Sequence, residues 1–277
     1  MSRLILRLRH APALRLDVSG LTPDALAERS ASDVAKLPLW QGKERLCVGD
    51  LFEVRADANG SAHGDTPELI FEGDLGRCDR LGWQMTRGTL RVEGHAGDYT
   101  GCGMAGGTLE VNGNAGDFTA AAMSGGHLAL RGNTGDFAAA ALPGDMEGMR
   151  GGQLIIAGHA GDRLADRMRR GTVLVAGNAG AFAASRMVAG TLGIAGDVGA
   201  HLAFGMRRGT VVLVRANAPL APTFVETEHN IAVAWALLAR SLERADSAFA
   251  GLAHRLPQRH AGDLAVDGKG EILRCAA

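Results

Sequence analysis

Residues 88–106 read GTLRVEGHAGDYTGCGMAG, and residues 107–125 read GTLEVNGNAGDFTAAAMSG. The second stretch repeats the first, position for position. GHLALRGNTGDFAAAALPG follows from Gly126, with an insertion running to Gly151. Further copies begin at Gly152, Gly171 and Gly190, and a partial one, GTVVLVR, at Gly209. A weaker copy, LIFEGDLGRCDRLGWQM, precedes Gly88. The step is 19 residues five times out of six, and 26 across the insertion. A fixed period in this range marks a repeat architecture.

The columns of the register carry the physics. Each repeat opens with an alternating apolar pair: Leu90/Val92, Leu109/Val111, Leu128/Leu130, Leu154/Ile156, Val173/Val175, Leu192/Ile194, Val211/Leu213. Period two with β-branched residues predicts strand, these side chains pointing one way. A methionine stands three residues before each full repeat start: Met85, Met104, Met123, Met149, Met168, Met187 and Met206. A third column is always tiny (Gly101, Ala120, Ala139, Ala165, Ala184, Ala203), and a fourth is polar (Asp74, His95, Asn114, Asn133, His159, Asn178, Asp197).

Stacked at strand spacing, ~4.8 Å, these columns predict an all-β solenoid, a parallel β-helix of about seven coils. Leucine, valine and methionine would fill its interior, and the polar column would cap its turns. A helical solenoid needs long stretches of 3.6-residue period, which glycine at three or four places per repeat opposes. Gly101, Gly103 and Gly106 spell G-x-G-x-x-G, but TLEV, a strand, follows them. A dinucleotide loop needs a helix there, so the glycines read as backbone chemistry of a turn.

Composition agrees. The chain has 277 residues, 40 glycines and only 4% aromatics, which suits thin regular layers. The net charge of −1 gives no global attraction to nucleic acid or an acidic membrane. Of 29 basic residues only three are lysines (Lys36, Lys43, Lys269), an arginine bias that points to a GC-rich genome. Cys47, Cys78, Cys102 and Cys275 form no C-x-x-C pair, which fits a reducing cytoplasm better than a disulfide framework or a zinc site. MSRLILRLRH carries arginines inside its apolar run and does not read as a signal peptide, and no stretch approaches a membrane span.

The expected divisions are 1–66, an α/β extension; 67–215, the repeats; and 216–277, a helix and hairpin cap. The extension should hold a strand at Leu4–Leu8, a helix from Thr22-Pro23, a Ser30…Asp33 cap and a strand near Leu51–Val54. At the other end, 226–245 should be a helix whose Ile231, Trp235, Leu238 and Leu242 cover the last coil. GDLAVDGKGEILRC should form a hairpin turning at Asp267-Gly268.

Functional candidates are few. His95 and His159 stand three coils apart, about 14 Å at strand spacing, too far to share a metal. Asp98, Asp117, Asp136 and Asp162 form a column that could bind calcium, but its end at Ala181 favours turn capping. The insertion LPGDMEGMRG (142–151), with Asp145 and Glu147, breaks the repeat and reads as a partner-contacting loop. No catalytic set and no metal set emerges. The arginines are more pointed. Arg150, Arg169 and Arg207 hold one coil position, with Arg167, Arg170, Arg186 and Arg208 beside them and Arg87 as an earlier member. They predict a basic strip along the later coils, facing an acidic partner subunit or a polycarboxylate ligand, unless it is simply a solvated edge.

The pattern G-x-x-G-x-x-x-G-x-x-M-x-G-G, intact at Gly94, Gly97, Gly101, Met104, Gly106 and Gly107, resembles the repeats of the C subunit of formylmethanofuran dehydrogenase. It also resembles the related C-terminal domain of the glutamate synthase large subunit. VSGLTPDALAERSASDVAKLPLWQGKERLCVGDLFEV and GDLAVDGKGEIL extend the likeness to the dehydrogenase subunit over nearly the whole chain. Most repeats depart by placing alanine at the third glycine. The resemblance implies a right-handed β-helix acting as a structural subunit in the cytoplasm, with no cofactor bound directly by the chain.

In the bacterial setting, which the composition favours, the resemblance implies a complex that transfers formyl from tetrahydromethanopterin to a methanofuran-type carrier and hydrolyses it to formate. The implied partners are an amidohydrolase-like metal subunit, a formyltransferase subunit and a pterin-subunit homologue, in a hetero-oligomer. Two alternatives stay open: the C subunit of a tungsten or molybdenum formylmethanofuran dehydrogenase, and a free-standing β-helix enzyme.

Overall fold

The computed structural model describes residues 3–57, 66–215 and 218–275. The chain opens with β1 (Arg3–Leu8) and β2 (Leu16–Asp17), the short helices α1 (Pro23–Leu26) and α2 (Ala31–Ala35), then β3 (Pro38–Gln41), β4 (Glu44–Cys47), α3 (Val48–Leu51) and β5 (Phe52–Asp57). Thr22 caps α1 and Ser30 caps α2 through their side-chain oxygens. The repeats supply β6 (Glu68–Glu72), β7 (Cys78–Asp79), β8 (Thr89–Glu93), β9 (Thr108–Val111), β10 (His127–Leu130), β11 (Arg150–Ile156), β12 (Arg170–Val175), β13 (Thr191–Ile194) and β14 (Thr210–Leu213). The end of the chain adds β15 (Val225–Thr227), α4 (Ala232–Ala245), β16 (Gln258–Gly262) and β17 (Gly270–Arg274).

These strands form one 13-stranded, mostly parallel sheet, ordered β15-β16-β17-β14-β13-β12-β11-β10-β9-β8-β6-β1-β5, and a separate four-stranded sheet, β4-β3-β2-β7. This corrects the expected all-β solenoid, the parallel β-helix of about seven coils with a capping helix. Each repeat gives the large sheet a single strand, and the remainder of the repeat is turn joined by isolated bridges such as Ala115↔Thr134 and Ala160↔Ala179. The reason is local. Tyr99, Gly101 and Gly103 have φ of 60°, 67° and 66°, and Phe118, Ala120 and Ala122 follow at 58°, 55° and 52°. Alternate residues in the left-handed region cannot continue a strand ladder. The tiny column is therefore the middle of this left-handed run, where a larger side chain would also meet the buried interior.

Register stacks like on like. Leu4, Leu69, Leu90, Leu109, Leu128, Leu154, Val173, Leu192, Val211 and Ile272 pair in sequence from β1 to β17. All are buried, as are the seven methionines, and together they form the main core. Burial of each such side chain contributes about 1.5–3 kcal/mol. Neither end of the stack is a bare repeat. β1 and β5 continue the sheet at one end, and β17, β16 and β15 at the other, with β5 and β16 antiparallel to their neighbours.

Helix α4 begins at Ala232, because Val225–Thr227 is spent on β15. Its Trp235, Ala239 and Leu242 pack on Val212 of the last repeat, on Leu174 and Leu273, which like Val212 point outward from the sheet, and on Phe249 of the 3₁₀ turn Ser247–Phe249. Gly193 lies between Leu174 and Val212 in this outer face, and a Cβ there would sit 2.8 Å from the Phe249 ring. The expected hairpin is β16 and β17, joined by a 3₁₀ turn at Leu264–Val266, with Asp267 left-handed at φ 51°. The division expected at 215/216 falls against residues 216 and 217, outside the described residues.

His260 of β16 is buried, and burial together with the Arg274 guanidinium holds its pKa below the ordinary value. The folded state thus keeps the ring neutral, whereas the unfolded chain takes up the proton near pH ~6.5. The stability this contributes is present above that pH and is lost as pH falls below it. The thermal midpoint is expected to drop between pH 7 and 5, and His260→Gln to flatten that dependence. Parallel curves for the two proteins would show that His260 is not the titrating group.

Candidate functional site

Side chains in the turns spend themselves on the next repeat. Asn133 N–H donates to Asn114 Oδ1 at 2.8 Å, His159 N–H to Asn133 Oδ1 at 2.8 Å, and Asn178 N–H to His159 Nδ1 at 2.9 Å. His159 accepts there, so its proton sits on Nε2. The aspartates do the same: Asp98, Asp117, Asp136 and Asp162 accept from the N–H of Asp117, Asp136, Asp162 and Ala181 at 2.7–3.0 Å. Among the described residues no group of three or more His, Cys, Asp or Glu is placed to hold a metal ion. Burial pushes the Cys78 and Cys102 thiols up to about 12 and Cys275 to about 11, far from a reactive thiolate.

A fifth column, which the apolar and polar columns conceal, runs beside these ladders. Tyr99, Phe118 and Phe137 stack with centroids 5.0 and 4.9 Å apart. The Arg163 guanidinium lies between Phe137 and Phe182, and Phe182 stacks on His201 at 4.6 Å. Arg80 begins the series over Tyr99. All seven occupy the same left-handed position, φ 58–63°. Their signal in the sequence is the recurring GDY and GDF of the early repeats. The stack ends by fixing Phe204, whose ring meets Phe182 edge-on at 6.2 Å.

The seven candidate arginines divide by position. Arg150, Arg169 and Arg207 each donate their N–H to a methionine carbonyl of the preceding repeat (Met123, Met149, Met187) at 2.7–2.8 Å, the same place in each repeat. Val188 makes that bond to Met168, so it interrupts the column between Arg169 and Arg207. Ala189 likewise stands between Arg170 and Arg208, all three N–H groups donating to the same methionine carbonyls at 3.2–3.4 Å. The expected strip is therefore a slot. Two arginine pairs stand two strand spacings apart, ~10 Å, across a floor of Val188 and Ala189. Arg169, Arg170, Arg207 and Arg208 wall this hollow of about 410 Å³. Between the two pairs, repulsion at one strand spacing is thereby avoided.

A second hollow, of about 390 Å³, adjoins it through Val188 and Arg207 and is lined by Arg167, Arg186, Met146, Phe204 and Val266. Arg186 forms a bidentate pair with the buried Asp166, Nη2 donating to Oδ2 at 2.7 Å and Nε to Oδ1 at 3.1 Å. Arg169 pairs with Glu147 of the insertion, and Arg167 donates to the Asp145 carbonyl at 2.7 Å. Asp263, at the rim, accepts from the N–H of Gly205 and of Ala265. Burial opposes its ionisation, but bonds from Thr223 and these two amides hold its carboxyl below the usual range. Arg170, Arg207 and Arg208 are exposed and have no carboxylate partner among the described residues. Arg150 lies at the start of β11 and lines neither hollow.

A mostly parallel sheet of glycine-punctuated repeats, bearing a cationic slot and no assembled catalytic set among the described residues, defines a class. The chain belongs to the GXGXG motif family, whose model matches residues 78–231. It is 43% identical over 92 residues to the C subunit of the formyltransferase/hydrolase complex Fhc of Methylorubrum extorquens, covering 33% of this chain and 32% of that protein. It is 33% identical over 97 residues to the C subunit of the molybdenum-containing formylmethanofuran dehydrogenase 1 of Methanosarcina barkeri, covering 35% and 32%. These alignments span about a third of the curated relatives' length. A chain in the crystal structure of the formyltransferase/hydrolase complex FhcABCD from Methylorubrum extorquens, in complex with methylofuran, superimposes with a TM-score of 0.89 at 41% identity, covering 99% of this chain and 100% of that one. Among the described residues no helix is long and apolar enough to cross a membrane.

Proposed function

We propose that the chain is a non-catalytic scaffold subunit of a cytoplasmic hetero-oligomer that transfers formyl from tetrahydromethanopterin to a methanofuran-type carrier and hydrolyses it to formate. The observation that carries this reading is the likeness over the full length to a chain of FhcABCD. Identity of 43% to the hydrolase-complex subunit against 33% to the dehydrogenase subunit ranks the hydrolase setting first. The partners in this reading are an amidohydrolase-like metal subunit, a formyltransferase subunit and a pterin-subunit homologue, and the metal belongs to a partner. The slot supports a contact role: Arg170, Arg207 and Arg208 lack counter-charges among the described residues that an acidic partner surface or the anionic part of a carrier would supply. The turn carboxylates are already engaged by backbone N–H groups, which supports structure over catalysis.

The test is an affinity purification of the tagged chain from its native cytoplasm, with subunit identification and a formyl-transfer assay. Co-purifying formyltransferase and amidohydrolase-like chains are expected, with turnover in the complex and none in the isolated chain. A chain that elutes alone and turns over substrate by itself defeats the scaffold reading.

A further inference from the structure

The hollow beside the slot has features that the subunit reading leaves without a task. Its apolar residues are unusually open for their size: Met146 is 76% exposed, Phe204 57% and Val266 42%, and the adjoining Leu264 57%. Isolated exposed apolar residues need no explanation, but a cluster around a concavity marks an interaction site. These residues are also held in place. Met146 lies between Asp145, whose carbonyl accepts from Arg167, and Glu147, which pairs with Arg169. Gly148 N–H donates to the Arg167 carbonyl at 2.9 Å. Phe204 is fixed by Phe182, and its carbonyl accepts from Arg186 N–H at 2.7 Å. The 142–151 insertion is thus pinned at its tip, and it presents Met146 rather than trailing it.

The charge around the hollow specifies the guest. Six arginines line the two joined hollows, and among the described residues Asp263 is the one carboxylate in their walls. Asp166 and Glu147 neutralise Arg186 and Arg169, which leaves Arg170, Arg207 and Arg208 facing outward. We propose that the hollow of Met146, Val188, Phe204 and Val266 seats a bulky apolar side chain of a partner polypeptide whose flanking Asp or Glu residues lie in the arginine slot. The occupant is a polypeptide segment because the hollow offers an apolar seat at Met146, Phe204 and Val266 while the adjoining slot takes carboxylates, and an acidic peptide supplies both. Apolar anchors ringed by charged contacts are how a few residues carry the affinity of a protein interface. This inference rests on the subunit reading and adds the place and chemistry of one contact.

The experiment uses the intact complex from the native host, with a photo-crosslinking benzoylphenylalanine in place of Phe204. Irradiation is expected to join position 204 to a segment of another subunit that has a large apolar residue with Asp or Glu within three positions. The yield should fall several-fold in 1 M salt, where the Debye length is about 3 Å. Met146→Ser with Phe204→Ser, both at exposed positions, is expected to weaken co-purification of that subunit about 30-fold with an unchanged melting curve. An intact complex with no crosslink, or a crosslink only to a second copy, to a carrier molecule or to a segment without acidic residues, overturns the proposal. A wild-type chain that purifies alone overturns the subunit reading instead.

Discussion

Gly125→Ala is expected to cost about 3 kcal/mol of stability and to show as a lowered denaturation midpoint. A Cβ at Gly125 would lie 2.3 Å from the Ala105 carbonyl oxygen and 3.1 Å from its carbon. The obstacle is backbone, locked by the Gly125 N–H to Met104 bond and by β9 and β10 in register. No side chain can swing aside to relieve it. The same contact recurs at Gly106 against Thr86 and at Gly151 against Ser124. Ala189 holds the equivalent position in a later repeat, its N–H donating to Met168, so side chains are accepted there. Ala189→Gly should therefore move the midpoint by no more than about 1 kcal/mol. Equal effects at the two positions would show that the close backbone approach is not what demands glycine.

Arg170→Glu combined with Arg207→Glu is expected to weaken association with the partner subunits by about 100-fold while leaving the melting temperature within a degree or two. Both side chains are exposed and neither has a carboxylate partner among the described residues, so the fold gains little from them. Acidic contacts across the slot would meet like charge on both walls. The wild-type association should weaken with ionic strength, and the double variant should have lost most of that salt dependence. Unchanged subunit affinity and unchanged formyl transfer would remove the slot from the interface.

The strand columns are legible in the sequence because they repeat a hydrophobic alternation that only one backbone conformation produces. Leu90, Leu109 and Leu128 can be stacked on paper, and they stack in the fold. The rest of each repeat is legible only in part. Small residues such as Ala120 and Ala139 mark a tight, narrow place in the repeat, but the place is left-handed turn, at φ of 55° and 56°, a conformation that alanine rarely advertises. Helix α4 is legible as a helix and only partly in its seat: Val212 belongs to the last repeat, but Leu174, two repeats earlier, looks like an ordinary strand residue until its outward direction is known. At the site the arginines are legible one by one. Their division into two walls depends on Val188 and Ala189, residues with no chemistry to attract notice. The stacked rings of Tyr99, Phe118 and Phe137 are easy to pass over because aromatics are scarce in the total, whereas their spacing, not their number, is informative.

The unbroken line from β5 to β15 also fixes a length. Twelve strand intervals at ~4.8 Å set about 58 Å between the two edge strands, and each interval is closed by main-chain hydrogen bonds that do not stretch. The chain is in that sense a graduated ruler. Removing one 19-residue unit, for example 171–189, would shorten it by a single graduation and turn everything beyond the cut by one increment of sheet twist. Any two bodies attached at its ends would then be brought closer by that fixed step.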